Sequence, residues 1–261
     1  MSKKKQALLT VLETKAIYPV FQPIVDLENG NVVAYESLSR IESKNIDIKI
    51  EELFCLAEAY GCVWKLEKLC RDKALKASMN KPSRTKIFLN VDGQIFQDSN
   101  FISGFTNRKL EKFGLLNEDI VFEITESTDI ENYVLLQAIM NHYIDQGYQI
   151  ALDDVGAGYS GLNRVVNTTP NYLKADIELV RNIHLSKSKQ SMMKLLVEYC
   201  DEMGLKLIAE GIETQEELEC ICNLHVHYGQ GYYLGLPDCK FNGVSSQALQ
   251  YLMNIHGMIK T

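Results

Sequence analysis

No apolar run in this sequence approaches the roughly 20 residues that a helix needs to cross a bilayer, and no signal-peptide pattern opens it. Membrane insertion is therefore not expected, and a cytoplasmic protein is. Basic charge is in deficit: 27 Lys and Arg face 34 Asp and Glu, for a net charge of −7. A surface that tracks the phosphates of a nucleic-acid polymer should be basic, so no such partner is expected. The run Lys3-Lys4-Lys5 is too short for an anchor and reads as a solvated end. Only five prolines are present, and no Pro/Gly linker, low-complexity segment or internal repeat divides the chain. The 261 residues are accordingly read as one domain, long enough to bury a full core. Seven cysteines make an odd count without a C-x-x-C pair, which argues against a disulfide framework. Cys55, Cys62 and Cys70 fall in helical-looking sequence and read as reduced thiols, in keeping with a reducing cytoplasm. His225 and His227 form an H-x-H pair, but no cysteine or third histidine stands at a convincing spacing to complete a metal site.

What the chain does have is a series of apolar runs that stop on an acid or an amide. VVAYE ends at Glu36, KIFLN at Asn90, DIVFE at Glu123, YQIALDD at Asp153 and Asp154, YLKAD at Asp176, and LKLIAE at Glu210. A short apolar run is how a buried strand reads, and a carboxylate at its C-terminal end stands at the mouth of a parallel sheet. Two unit charges about 4 Å apart repel by roughly 4 kcal/mol at an effective dielectric near 20, so acids converging on one mouth call for cations. An all-oxygen set suits magnesium or manganese. Paired metal ions roughly 3.5–4 Å apart need a bridging carboxylate as well as terminal ligands, and Asp153-Asp154 can supply both where the chain turns. The following VGAGYSG segment, with three glycines in seven residues, either closes over a phosphate or makes a tight turn. Lys174 either lowers the repulsion among the acids or orients a water and a phosphoryl oxygen. Glu213, in AEGIET, either joins the site or serves a helix dipole. Arg40, just past Glu36, is the best-placed cation for a phosphate.

Two β-rich runs, about 18–27 and 31–40, are joined by Asn29-Gly30, a hairpin signal that makes the first two strands antiparallel. Helices are expected at 50–60, 63–79, 131–146, 187–203 and 214–223, and strands at 86–91, 119–125, 148–153, 171–175, 205–210 and 226–234. Strands separated by helices of this length make parallel βαβ crossovers, and eight strands fit an α/β barrel better than an open sheet. Acids on the C-terminal ends of barrel strands stand where such barrels carry their active sites. Near the end, SSQALQYLMNIHGMI places Ala248, Leu249, Leu252, Ile255 and Met258 at helical spacing. That segment is either a helix closing the barrel or a surface for a second copy or another partner.

With these residues in view, the chain resembles the EAL-domain phosphodiesterases that hydrolyse cyclic di-GMP. FQPIVDLENG, YESLSR, FLNV, FEITES, ALDDVGAGYSGL, YLKAD, LIAEGIET and YGQGYYLG occur in the family's order, over about residues 5–240, with 241–261 left as a C-terminal helix. The resemblance implies a (β/α)8-like TIM barrel with an antiparallel first strand, two Mg²⁺ or Mn²⁺ ions per site, and cyclic di-GMP as ligand. It implies Glu36, Asn90, Glu123 and Asp153 as ligands of the first metal, with Asp153 bridging to a second beside Asp154. Glu210 is implied as general base or as second-metal ligand, and Lys174 as the group that positions the attacking water. Gln22, Leu38, Arg40 and Gln230 are implied contacts to substrate, with Asp176, Glu213 and Gln230 supporting the site. Glu126 is implied to order the glycine loop that contains Gly156 and Gly158. A homodimer, and sensory or cyclase domains outside this chain, are also features the resemblance brings. Two departures stand out: the signature triplet reads Glu36-Ser37-Leu38, and Gly235-Leu236-Pro237 replaces a segment that carries an arginine in the family. A receptor or interaction module with weakened catalysis is the alternative the second departure suggests.

Overall fold

The computed structural model describes residues 3–42, 48–124, 133–155 and 160–255. Eight strands close a barrel in sequence order: β1 (Ile17–Asp26), β2 (Val32–Ile41), β3 (Lys86–Val91), β4 (Ile120–Ile124), β5 (Gln149–Val155), β6 (Tyr172–Ala175), β7 (Lys206–Ala209) and β8 (Tyr228–Gly229). β1 runs antiparallel to both neighbours, and every other adjacent pair is parallel. The expected hairpin is present. Asp26 Oδ1 accepts from the amides of Glu28 (2.9 Å) and Asn29 (3.3 Å), and Gly30 takes the left-handed φ of +72° that the turn requires.

Helices α2 (Ile50–Ala59), α3 (Val63–Ala77), α5 (Tyr133–Ile144), α8 (Lys187–Met203) and α9 (Gln215–Asn223) lie where their apolar spacing predicts them. Four more carry no expectation from the sequence: α1 (Lys3–Thr14), α4 (Phe105–Phe113), α6 (Ser160–Val166) and α7 (Ile177–Val180). The lysine run begins α1, with Lys3 and Lys4 exposed as expected, and the helix docks through Leu8, Val11 and Leu12. α10 (Ser246–Ile255) buries Ala248 and Leu252, and Leu249 and Leu252 approach Gly30, so the C-terminal helix covers the hairpin turn.

Side chains on a strand alternate between faces, so residues two apart look the same way. Ile24, Ala34, Phe88, Val121, Ala151, Tyr172 and Ile208 pack together as an apolar layer, with Tyr228 against it. This cluster is separate from the larger one formed with the surrounding helices. Two residues along each of these strands, toward one end of the barrel, come Gln22, Glu36, Asn90, Glu123, Asp153, Lys174, Glu210 and Gln230. The polar set is thus a second storey on the apolar one. Register staggers it around the wall: Glu36 lies opposite Phe88, Asn90 opposite Glu123, and Lys174 opposite Ile208.

β2 runs on past Glu36 to Ile41, close to the expected 31–40, with Ile17 of β1 paired opposite Ile41. One strand expectation needs correction. The last strand is only Tyr228–Gly229, not 226–234. Beyond it the chain hooks around Ile212, whose amide donates to Gln230 O (3.0 Å) and whose carbonyl accepts from Tyr233 N (3.0 Å). A Cβ on Gly231 would stand 2.1 Å from Ile212 O and 2.2 Å from Ile212 N. Gly231→Ala is therefore expected to lower stability by about 2–3 kcal/mol in urea unfolding. Gly243→Ala, whose added methyl meets nothing within 4 Å, should change it little. Equal effects of the two would count against this packing.

Candidate active site

The centre of the polar storey is Lys174, only 1% exposed. Its Nζ lies 2.5 Å from Glu123 Oε1, 2.6 Å from Glu210 Oε1, 3.4 Å from Glu36 Oε2 and 3.5 Å from Asp153 Oδ1. Burial opposes the lysine's charge, but Asp153, Glu123, Glu210 and Glu36 outweigh it and hold its pKa well above the ordinary value.

An amide chain fixes Glu36 from the other side. Gln230 Nε2 donates to Glu36 Oε2 (2.7 Å) and to Gln22 Oε1 (3.2 Å), Gln22 Nε2 donates to Gly235 O (3.2 Å), and Asn90 Nδ2 donates to Glu36 Oε1 (3.1 Å). Gln22 and Gln230 are both buried.

The tandem aspartates reach one site by a local irregularity. The β5–β6 register shifts between Leu152 and Val155, and Asp154 takes a left-handed φ of +55°. Such a bulge re-aims a side chain that would otherwise point out of the barrel. Oxygens of Asp153, Asp154 and Glu210 consequently lie within 4.8 Å of one another, as do those of Glu36, Glu123 and Glu210. Burial, then the Asp153 charge, pushes Asp154 up to about 7, and burial pushes Glu210 up to about 8 against the pull of Lys174. Burial, then the Glu36 charge, raises Glu123 well above the usual range. Asp153 goes the other way: burial raises it, but Lys174 and hydrogen bonds leave it below the usual value.

Five carboxylates around one ammonium are under-neutralised. Among the described residues, the buried Glu123 Oε2 and Asp153 Oδ1 have no hydrogen-bond partner, and neither does Gln230 Oε1. Orphaned buried carboxyl and amide oxygens at this density fit divalent cations with all-oxygen coordination. The donor set is hard and suits Mg²⁺ or Mn²⁺.

The remaining expected residues divide. Asp176 caps α7, accepting from Glu178 N at 2.7 Å, and stands beside Asp154. Glu213 instead faces Arg181 at 3.3 Å, with both side chains about half exposed, and belongs to neither acid group. Leu38 and Arg40 line a cavity of about 470 Å³ that runs from Glu36 and Asn90 to α2 and α3. Glu126, Gly156 and Gly158 lie outside the described residues. The histidine pair is structural at His227, which accepts from Leu207 N (3.2 Å) and meets Asp201 at 2.9 Å. All seven cysteines are free thiols.

One buried polar pair has no counterpart in the expectations. Glu67 and Arg71 form an ion pair in the cavity wall, each under 5% exposed. Arg71 also donates to Thr106 Oγ1 (3.1 Å) and to Tyr143 OH (3.3 Å), while Glu67 Oε2 accepts from Asp92 N (3.1 Å). The pair ties the segment after Asn90 to α3. Its one sequence signal is an acid and an arginine at i, i+4 on the apolar face of a helix.

A family model for the EAL domain matches residues 5–237. The biofilm architecture maintenance protein MbaA of Vibrio cholerae is 26% identical over 226 residues, covering 83% of this chain and 28% of that protein. The cyclic di-GMP phosphodiesterase PdeA of Borreliella burgdorferi is 25% identical over 237 residues, covering 89% of this chain and 35% of that protein. The chain thus spans about a third of the length of these relatives. A solved standalone versatile EAL protein from Vibrio cholerae, in its c-di-GMP bound form, matches with a TM-score of 0.76 at 26% identity, over 89% of this chain and 97% of that one.

With the carboxyls raised, binding of a cation here would release protons. Glu210 and Asp154 hold protons in the folded chain at a pH where their ordinary values of 4.5 and 3.8 would have lost them. The stability this proton retention gives is lost as pH rises toward about 8, and a bound cation should restore it. Calorimetric titration of Mn²⁺ at pH 7, in buffers of different ionisation enthalpy, should show net proton release that fades at higher pH. Heats independent of the buffer at pH 7 would contradict this electrostatic account.

Proposed function

This chain is a member of the EAL domain family, and on that footing we propose that it is a metal-dependent phosphodiesterase that opens cyclic di-GMP to linear pGpG. The observation that carries the reading is the pair of acid groups that share Glu210, with the Lys174 ammonium beside them. Glu36, Asn90, Glu123 and Asp153 would hold one divalent cation, and Asp153, Asp154 and Glu210 a second. Such ions supply a nucleophile from water at neutral pH and neutralise charge on the phosphoryl oxygens.

The chain's own residues do the rest. Glu210, which the two acid groups share, serves either as a ligand of the second cation or as the base that takes the proton of the attacking water. Lys174 orients that water and hydrogen-bonds the phosphoryl oxygen that gains charge as the water adds, and the 3′ oxygen departs with the bonding pair and takes a proton from solvent. Gln230 and Asn90 keep the Glu36 carboxylate in one orientation. Arg40 at the cavity rim takes the second phosphate, while Gln22 and Leu38 meet the bases. Input from sensory or cyclase segments beyond these residues, and assembly with a second copy, belong to the same proposal.

Incubation with cyclic di-GMP and Mn²⁺ should yield pGpG, with Mg²⁺ also supporting turnover. Glu36→Ala and Asp153→Asn should each abolish the product while leaving the fold largely intact, because neither opens a cavity in the apolar layer beneath. Near-normal kinetics in either variant would overturn the ligand assignment.

A second reading, a receptor that binds cyclic di-GMP with weak or no turnover, is favoured by one observation. Leu236, which is 62% exposed, stands where the family carries an arginine, next to the Gly235 carbonyl that holds Gln22. A hydrogen bond to a charged group contributes about 1.5–3 kcal/mol, and roughly 1.4 kcal/mol is a decade in affinity. Leu236→Arg is thus expected to tighten cyclic di-GMP binding about ten- to a hundredfold, measured in Ca²⁺ to suppress turnover. Unchanged affinity in a folded variant would show that the missing arginine does not limit binding.

A further inference from the structure

Lys174 is more than a neighbour of the acids: its ammonium sits among the three carboxylates, Glu36, Glu123 and Glu210, that make up one of the two candidate cation groups. It also reaches Asp153, which belongs to the other group, so it touches four of the five acids. At 1% exposure its charge is not shared with solvent. A divalent cation taking the same oxygens at about 2.0–2.2 Å would need the space and the lone pairs that the ammonium now uses. Two positive centres drawn to one set of oxygens also repel each other at short range. The ammonium and the cation therefore divide a common pool of negative charge.

We propose that Lys174 is a built-in counter-cation that competes with the divalent ion for Glu123, Glu210 and Glu36, and so sets the affinity of the site. The ammonium holds the acid layer together on its own, and ion entry displaces part of its contacts onto the remaining acids. The consequence is a site that binds its ion less tightly than its acid content allows and exchanges it readily. This inference rests on the reading of the acids as a divalent-cation site. It assigns Lys174 a role in affinity that is separable from any role in turnover.

The test is Mn²⁺ titration of the full chain at pH 8, with manganese binding followed by electron paramagnetic resonance, for wild type, Lys174→Met and Lys174→Arg. Lys174→Met keeps most of the volume without the charge, and should bind Mn²⁺ at least tenfold more tightly. Its melting temperature should fall in chelator and recover toward wild type when Mn²⁺ is added. Lys174→Arg keeps the charge and should retain an affinity near that of wild type. Equal or weaker Mn²⁺ binding by Lys174→Met would overturn the competition while leaving the metal site standing. No Mn²⁺ binding by either wild type or Lys174→Met would instead remove the metal site itself. Should Lys174→Met fold only with Mn²⁺ present, slower stripping of its Mn²⁺ by chelator supports the proposal. Failure to fold even with Mn²⁺ would overturn it, because the ion then does not take over what the ammonium does.

Discussion

A closed barrel of eight strands has an interior that only alternate side chains can fill, and that geometric constraint organises the whole molecule. Ile24, Ala34, Phe88, Val121, Ala151, Tyr172 and Ile208 fill one storey as an apolar plug. The next inward-facing position on each strand falls above the plug, where a polar side chain no longer sits wholly in hydrocarbon. Eight positions are thereby delivered to one small volume without any of them being close in sequence. No loop has to fold correctly to gather Glu36, Glu123, Asp153 and Lys174, because the ladder hydrogen bonds that close the barrel already do so.

The same constraint produces the electrostatic problem that the site resolves. Acids brought together by register cannot separate to relieve their repulsion, and burial removes the water that would screen it. Lys174 is the internal answer, and burial, with the neighbouring acids adding to it, still leaves the Glu210 and Asp154 carboxyls raised. The surrounding neutral donors carry orientation, not charge. Gln230 and Asn90 hold Glu36 by its two oxygens, and Gln22 accepts from the same Gln230 amide, so the position of Glu36 is fixed whichever cation faces it.

Much of this was legible in the sequence, and the reasons for the gaps are physical. The acids announce themselves because each interrupts an apolar run, and Asn29-Gly30 announces the antiparallel entry because its turn geometry is local. Their common depth is not local: it depends on the stagger that sets Glu36 opposite Phe88 and Lys174 opposite Ile208. β8 reads as a long strand because YGQGYYLG is β-rich, yet the fit of Gly231 against the Ile212 backbone ends it after two residues. The Glu67–Arg71 pair is easily missed for the opposite reason, since an i, i+4 pair of charges on a helix normally marks a solvated face. Glu213 looks like a member of the site by its closeness in sequence to Glu210, but the start of α9 carries it outward to Arg181.

The proposed two-cation site occupies one inward storey of the barrel. Anomalous scattering at the manganese edge, from crystals soaked in Mn²⁺, tests it most directly. Two peaks roughly 3.5–4 Å apart are expected, one among Glu36, Asn90, Glu123 and Asp153 and the other among Asp153, Asp154 and Glu210. Manganese found only outside the barrel mouth, with the acid layer unchanged, would contradict it.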